Sequence, residues 1–158
     1  MVQEKLNKKP GDADYIEAIA FLKKQPAVAP LVKSEGLMKA CRDHVNDQGP
    51  KKAIGHKGSD GSSPWDRMAR YGIKKGFAGE SIAYGVGDGM GAITQLLVDK
   101  GVPTRGHRTA LFDARYGATG IYTGAWGTNG QVETCIDYAH AFQETNGKTV
   151  GLTMMLLI

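Results

Sequence analysis

The chain has 158 residues, of which 41% are hydrophobic, and this is enough for one compact domain with a core of its own. Aromatic residues (8%) and charged residues (23%) are as frequent as in an ordinary globular protein, so the composition argues against a disordered chain. The net charge of +4 comes from Lys and Arg residues spread along the sequence. A nucleic-acid-binding protein would cluster them with aromatic residues, so we expect no nucleic-acid partner.

The two ends of the chain give no membrane signal. The first residues, MVQEKLNKKPGDADY, are polar and contain no apolar stretch of signal-peptide length. No run of 18 apolar residues predicts a transmembrane segment. The last nine residues, VGLTMMLLI, are apolar and predict a buried terminal strand. Synthesis in the cytoplasm and loss of a leader are both compatible with this start.

The first third of the chain predicts two helices. Asp12 or Asp14 can cap the first helix, which Pro26 ends. The second helix begins at about Ser34, has its apolar side chains on one face, and stops at Gly49.

A glycine-rich loop with a histidine, GHKGSDGSSPWDRMARYG, then leads directly into a third helix. Ser63 can cap this helix, Pro64 suits its first position, and Asp66 lies three residues after the cap. The helix is predicted to end at about Tyr71. The loop therefore holds His56 at a place where its backbone can be fixed firmly.

The remainder predicts strands interrupted by one more helix. FAGESIAYGVG is predicted to be extended, Asp88 caps a helix over GMGAITQLLVDK, and TRGHRTALFD forms a turn and one helical turn. GATGIYTGAWG, QVETCIDYAHAF and KTVGLTMMLLI predict strands joined by the hairpin-type turns TNG and TNGK. Helices followed by antiparallel strands indicate an α+β fold, and with no linker or repeat we predict a single domain over residues 1–158.

Three polar residues are candidates for chemistry. His56 and His107 stand in glycine-flanked polar loops, where functional residues concentrate, whereas His44 and His140 are interpreted as structural. Glu80 begins an otherwise apolar strand, so its carboxylate must face solvent, find a partner or belong to a site. The two loop histidines are about 50 residues apart and match no metal-binding motif, so spacing alone does not join them.

The motifs taken together resemble a known family. GHKGSDGSSPWDRMARYG, AGESIAYG and LLVDKGVPTRGHRTALFDARYGATGIY occur in the order found in the CAP superfamily, the SCP-like domain of cysteine-rich secretory proteins, antigen 5 and plant pathogenesis-related proteins. The resemblance is greatest to the compact microbial forms and covers about residues 30 to 142. It implies a three-layer α-β-α sandwich with an antiparallel sheet, and a cleft lined by two histidines and two acidic residues.

The resemblance also assigns residues to this cleft. His56 matches the first histidine, Glu80 the first acid and His107 the second histidine. Asp99 stands where family members often carry a glutamate; it is shorter and lies near a predicted helix end. Such a cleft implies a divalent metal, zinc above all, with His56 and His107 as ligands.

Three functions are compatible with these residues. The first is a non-enzymatic module whose cleft binds a divalent metal or small ligand while its surface binds a protein partner or an apolar molecule. The second is a metal-assisted peptidase with Glu80 as general base, and the third is a structural subunit of a larger assembly. Catalysis demands more of the same residues, and no serine lies in a GxSxG elbow, so the balance favours binding.

Two questions stay open at this point. Cys41 and Cys135 are too few for a disulfide framework, and both a single bridge and two buried thiols are compatible with their positions. The resemblance implies an extracellular, secreted protein, whereas the visible N-terminus keeps a cytoplasmic location possible.

Overall fold

A computed structural model describes residues 11–151 of the chain. The helices are α1 (Ala13–Lys24), α2 (Glu35–Gln48), a 3-10 turn (Gly49–Lys51), α3 (Pro64–Ala69), α4 (Gly89–Val98) and α5 (Gly106–Leu111). The strands are β1 (Val32–Lys33), β2 (Gly72–Val86), β3 (Ala118–Ala125), β4 (Val132–Glu144) and β5 (Thr149–Gly151). The predicted terminal strand is present as β5, and the rest of that prediction lies outside the described residues.

The helices begin where their capping residues predict. The side chains of Asp12, Ser34, Ser63 and Asp88 each accept a hydrogen bond from a backbone N–H of the first turn that follows. Ser63 forms a complete capping box, because the carboxylate of Asp66 also accepts from the Ser63 backbone. The glycine-rich loop therefore does run straight into a fixed helix start.

The strands form one five-stranded sheet in the order β1-β3-β4-β2, with β5 pairing with the end of β4. This confirms the predicted α+β fold, with one difference in detail. The short strand β1 pairs with β3 in parallel, and the long connection between them contains α2, α3, β2, α4 and α5. Every other pairing is antiparallel, and β2 lies at one edge.

Helices cover both faces of the sheet. α2 packs on β3 and β4, and α3 packs on α2 and β2; α4 and α5 pack on the opposite face, with α1 outside α4. Alternate residues of β4 face opposite layers, as the pleat requires. Cys135 packs with α2 residues, while Ile136 and Tyr138 pack with α4. In the described part of the chain, no helix is both long and apolar enough to cross a membrane.

Gly120 of β3 allows α2 to lie directly on the sheet. A Cβ at this position would come within 2.1 Å of Met38 N and 2.2 Å of Leu37 C, which are helix backbone atoms. The helix can relieve such a contact only by moving away from the sheet. The close approach of α2 is what buries the polar side chains described below.

We expect Gly120→Ala to lower the free energy of unfolding by about 2 to 3 kcal/mol, because overpacking displaces a whole helix. Urea denaturation measures this loss. Gly89→Ala is the matched control, since no atom lies within 4 Å of its added Cβ, and it should change stability by less than about 0.5 kcal/mol. Equal effects of the two substitutions would contradict the tight helix–sheet contact.

Candidate ligand cavity

A cavity of about 770 Å³ opens at the β2 edge of the sheet. Its walls come from β2, the loop that carries His56, α1, α4 and the segment that follows α4. The apolar part of the wall is formed by Ile82, Val86, Leu96, Val98 and Val102, and the polar part includes His56, Asp99 and His107. The cavity is therefore mainly apolar, with two imidazoles among its few polar groups, as is common in small-molecule sites.

The loop of His56 is held by side chains of the sheet and of α2. The Gly55 N–H donates to the hydroxyl of Tyr84 (2.9 Å), and the Gly55 carbonyl accepts from Nε2 of His44 (2.9 Å). Gln48 Nε2 donates to the carbonyl of Lys57 (2.6 Å). His44 is thus structural, as the sequence predicts: it is buried, and it fixes the backbone on the N-terminal side of His56.

His56 belongs to a chain of charged hydrogen bonds. Its Nδ1–H donates to Glu80 Oε1 (2.7 Å), and Arg67 Nη2 donates to the other oxygen of Glu80 (2.6 Å). Arg67 Nη1 also donates to the backbone carbonyl of His56 (3.0 Å). The guanidinium therefore fixes both the carboxylate and the loop that meets it. Glu80 and Arg67 are buried, with side chains 1% and 2% exposed, whereas His56 is 52% exposed.

The charge of Glu80 is stabilised despite its burial. Burial raises the pKa of this carboxyl, but the hydrogen bond from His56 and the charge and hydrogen bond of Arg67 together hold it below its ordinary value. Glu80 is therefore ionised at neutral pH. An ionised acceptor keeps the proton of His56 on Nδ1, which leaves Nε2 for another partner.

His107 forms a second, locally built pair of the same kind. Asp99 caps the C-terminus of α4 with φ +52°, and its Oδ2 accepts from the His107 backbone N–H (2.9 Å). Its Oδ1 accepts from His107 Nδ1–H (2.7 Å). Arg105 holds the same turn by donating to the carbonyl of Asp99 (2.6 Å). Asp99 is almost fully buried and His107 is partly exposed, so this imidazole also presents Nε2 outward.

The structure places the four predicted cleft residues in two histidine–carboxylate pairs beside one cavity. His56, Asp99 and His107 are on its wall, and Glu80 lies behind His56. Sequence reasoning missed Arg67, which completes the first pair. The signal available for Arg67 was its position in the capped helix next to the loop. This signal does not single out Arg67, because Arg70 lies at the end of the same helix and its side chain is 41% exposed.

The four predicted cleft residues do not form a three-ligand zinc site in the described part of the chain. A histidine that donates Nδ1–H to a carboxylate and presents Nε2 is the usual form of a metal ligand. Catalytic zinc sites, however, use three protein ligands. No three ligand atoms of the set His56, Glu80, Asp99 and His107 come within 4.8 Å of one another. His56 and His107 are the two imidazoles on the cavity wall, and each has its Nδ1 engaged by a carboxylate.

Further acids are buried behind the His56 pair. Glu133 is fully buried, neither of its oxygens has a hydrogen-bond partner among the described residues, and Nε2 of His44 is 4.0 Å away. Burial raises the pKa of Glu133 to about 7, and the charge of Glu80 adds to this effect. Burial also lowers the pKa of His44, so this imidazole is neutral at pH 7 and offers Glu133 no full counter-charge.

The fold and site together define the class of protein: an α-β-α sandwich with two histidine–carboxylate pairs at the sheet edge. Residues 18–136 match the CAP family, the cysteine-rich secretory protein family. This chain belongs to the CAP family, as the motifs indicated. Comparison with curated proteins finds no significant match.

Two solved structures share the fold. An extracellular protein of Bacillus anthracis that contains an SCP domain superposes with a TM-score of 0.54 over 79% of this chain, at 18% identity. The chain spans 38% of that protein. An outer surface protein of Borrelia burgdorferi superposes with a TM-score of 0.59 at 18% identity. The match covers 83% of this chain and 95% of the Borrelia chain. At this identity the likeness concerns the fold alone.

Arg67→Met should lower the free energy of unfolding by about 3 to 5 kcal/mol, because it leaves the carboxylate of Glu80 buried without its cation. Adding Glu80→Gln should restore part of this loss, since the unpaired charge is then removed. Urea denaturation of the two single variants and the double variant gives the coupling energy. The matched control is Arg70→Met on an exposed ion pair nearby, which should cost about 1 kcal/mol or less. Additive effects of the two substitutions would contradict the buried pair.

Glu133→Gln should flatten the dependence of stability on pH. The folded pKa of about 7 exceeds the ordinary 4.5, so the stabilising contribution of protonated Glu133 is complete below 4.5 and is lost as pH rises through 7. The contribution of Glu133 to wild-type stability should therefore fall between about pH 4.5 and about pH 7, and the variant should lack this fall. Urea denaturation at several pH values measures this, with the exposed Glu35→Gln as control. The groups facing Glu133 are His44 and Asp47 of α2, Arg67 of α3 and Glu80 of β2.

Proposed function

We propose that this CAP protein is a non-enzymatic binding module whose cavity binds a divalent metal ion or a small ligand. One observation carries the proposal: His56 and His107, each oriented by a buried carboxylate, line the same mainly apolar cavity. Two fixed imidazoles supply directional contacts, and the aliphatic wall supplies contact area. Such a combination suits a ligand with an apolar body and a polar group. It also suits a metal ion to which such a ligand is bound.

Fixed imidazoles suit binding because their orientation is set before the ligand arrives. Each ring is held at Nδ1, so little rotational freedom is lost when Nε2 binds. The volume of about 770 Å³ falls within the range of small-molecule sites. The aliphatic walls favour an apolar molecule over a peptide backbone, because they offer few hydrogen-bond partners.

The same geometry does not favour a peptidase. Glu80 would have to act as general base, but its two oxygens already accept from His56 and Arg67, and it is not part of the cavity wall. Two hydroxyls on the wall are also engaged: Thr94 donates to the carbonyl of Met90, and Tyr84 accepts from Gly55. None of these groups is set up to activate water or attack a substrate.

An extracellular location and a protein partner are further parts of the proposal, and the family resemblance supports them. By their descriptions, the two solved relatives are an extracellular and an outer surface protein. We therefore place this chain outside the cell, where an accessible cavity meets small molecules directly. Its surface would meanwhile bind a protein partner.

Titration with zinc tests the cavity directly. Zinc should raise the melting temperature of the wild-type protein, and His56→Ala or His107→Ala should reduce the shift to what zinc bound elsewhere contributes, because each removes one of the two cavity ligands. Differential scanning calorimetry measures the shift, and isothermal titration calorimetry measures the affinity. Asp99→Asn should weaken binding about 10- to 100-fold, because His107 loses the carboxylate that orients it.

His140→Ala is the matched control, because this histidine hydrogen-bonds to the carbonyl of Arg115 and is not part of the cavity wall. It should leave the zinc shift unchanged. A shift as large as that of the wild type in both cavity variants would refute a metal role for the two imidazoles. If neither zinc nor any small apolar molecule raises the melting temperature of the wild type, the structural-subunit function is favoured instead.

A further inference from the structure

A second group of metal-binding side chains lies in the core, between α2 and the sheet. Cys41 of α2 and Cys135 and Asp137 of β4 bring two sulfurs and a carboxylate oxygen within 4.8 Å of one another. All three residues are fully buried. They do not line the cavity, although Cys135 Sγ donates to Glu80 Oε2 (3.4 Å), and the family resemblance assigned them no role.

Their positions are set by regular structure rather than by a loop. Cys135 and Asp137 are two residues apart on one strand, so both point to the same face of the sheet. Cys41 comes from the helix that Gly120 allows to lie directly on that face. Cys41 Sγ in turn donates to the Gly120 carbonyl (3.3 Å). Rigid elements of this kind hold ligands more accurately than loops do.

Asp137 is the residue that the surrounding protein does not satisfy. Its side chain is completely buried, and neither carboxylate oxygen has a hydrogen-bond partner among the described residues. A buried polar group in this state costs about 1 to 3 kcal/mol, and more if it is charged. Its cross-strand neighbour is Glu80, a second acid, which makes the position still less favourable.

We propose that Cys41, Cys135 and Asp137 form a structural zinc site in the core. Thiolates select zinc or copper(I) over hard cations, and the carboxylate oxygen favours zinc of these two. Zinc would give Asp137 the partner it lacks and would tie α2 to β4. Glu80 Oε2 accepts from Cys135 Sγ (3.4 Å), but both oxygens of Glu80 are held by His56 and Arg67, so the site has three protein ligands.

Zinc binding at this site displaces a proton from each of the three ligands. Burial raises the pKa of the Cys41 thiol to about 12 and those of Cys135 and Asp137 well above their ordinary values. Burial therefore favours the protonated form of each group when no metal is bound. Binding Zn²⁺ forms two Zn–S bonds and one Zn–O bond and releases two thiol protons and one carboxyl proton to solvent. Because the site is closed, we expect the ion to enter during folding.

Metal content and cobalt spectroscopy test this site. The full chain, produced with zinc and purified without chelator, should contain one tightly bound zinc by mass spectrometry. Refolding with cobalt(II) in place of zinc should give the sulfur-to-cobalt charge-transfer absorption that only thiolate ligands produce. Both signals should be lost in Cys135→Ser and in Asp137→Asn. The second variant is nearly isosteric and removes a buried acid, so we expect it to fold.

The His56→Ala/His107→Ala double variant separates this site from the cavity. It should keep the tightly bound zinc and the charge-transfer band, whatever happens to weak zinc binding in the cavity. Two results together would overturn the proposal. The wild-type protein would be purified without bound metal, with two thiols that titrate freely after unfolding, and refolding with cobalt(II) would give no charge-transfer band. A Cys41–Cys135 disulfide in protein purified in air would overturn it equally.

Discussion

The buried ion pair between Arg67 and Glu80 is the interaction on which the cavity depends. It joins α3 to β2, and the same guanidinium holds the backbone of the loop that carries His56. A buried salt bridge gives little net stability, but losing one partner is costly. The pair therefore acts as a positional constraint. It keeps one imidazole at a fixed place on the cavity wall while the loop around that imidazole remains exposed.

The two histidine–carboxylate pairs reach the same result by different routes. His56 and Glu80 come from separate elements and need Arg67 to hold them together. Asp99 and His107 belong to one turn, where a left-handed residue at the end of α4 folds its carboxylate back over the backbone and ring of His107. The shorter side chain of aspartate suits this local arrangement, because the acid is already next to its histidine. The departure from glutamate therefore does not break the pair.

Much of the fold could be predicted, because it is encoded locally. The capping residues Asp12, Ser34, Ser63 and Asp88 mark helix starts, and the motifs identify the family. The buried charges could not be predicted in this way. Glu133 and Asp137 lie on the same side of β4. Two acids in one row are typical of a solvent-facing side, yet α2 covers that face. Burial here depends on the close approach at Gly120, which is a tertiary contact and leaves no periodic signal.

The same tertiary contact explains why the sheet carries its acids on one face. Glu80, Glu133 and Asp137 share the layer beneath α2 and α3 with one guanidinium, that of Arg67. One cation cannot neutralise three carboxylates in a medium of low dielectric constant, so the protein keeps Glu80 ionised and burial favours the neutral form of the other two. The charge of Arg67 is thus used for Glu80, the carboxylate that orients His56 on the cavity wall. Stability is given up at Glu133 and Asp137, which lie deeper in the core. Polar groups that serve only the fold would more simply be replaced by apolar ones, and two of these acids have a further place in the proposals: Glu80 orients His56, and Asp137 belongs to the proposed zinc site.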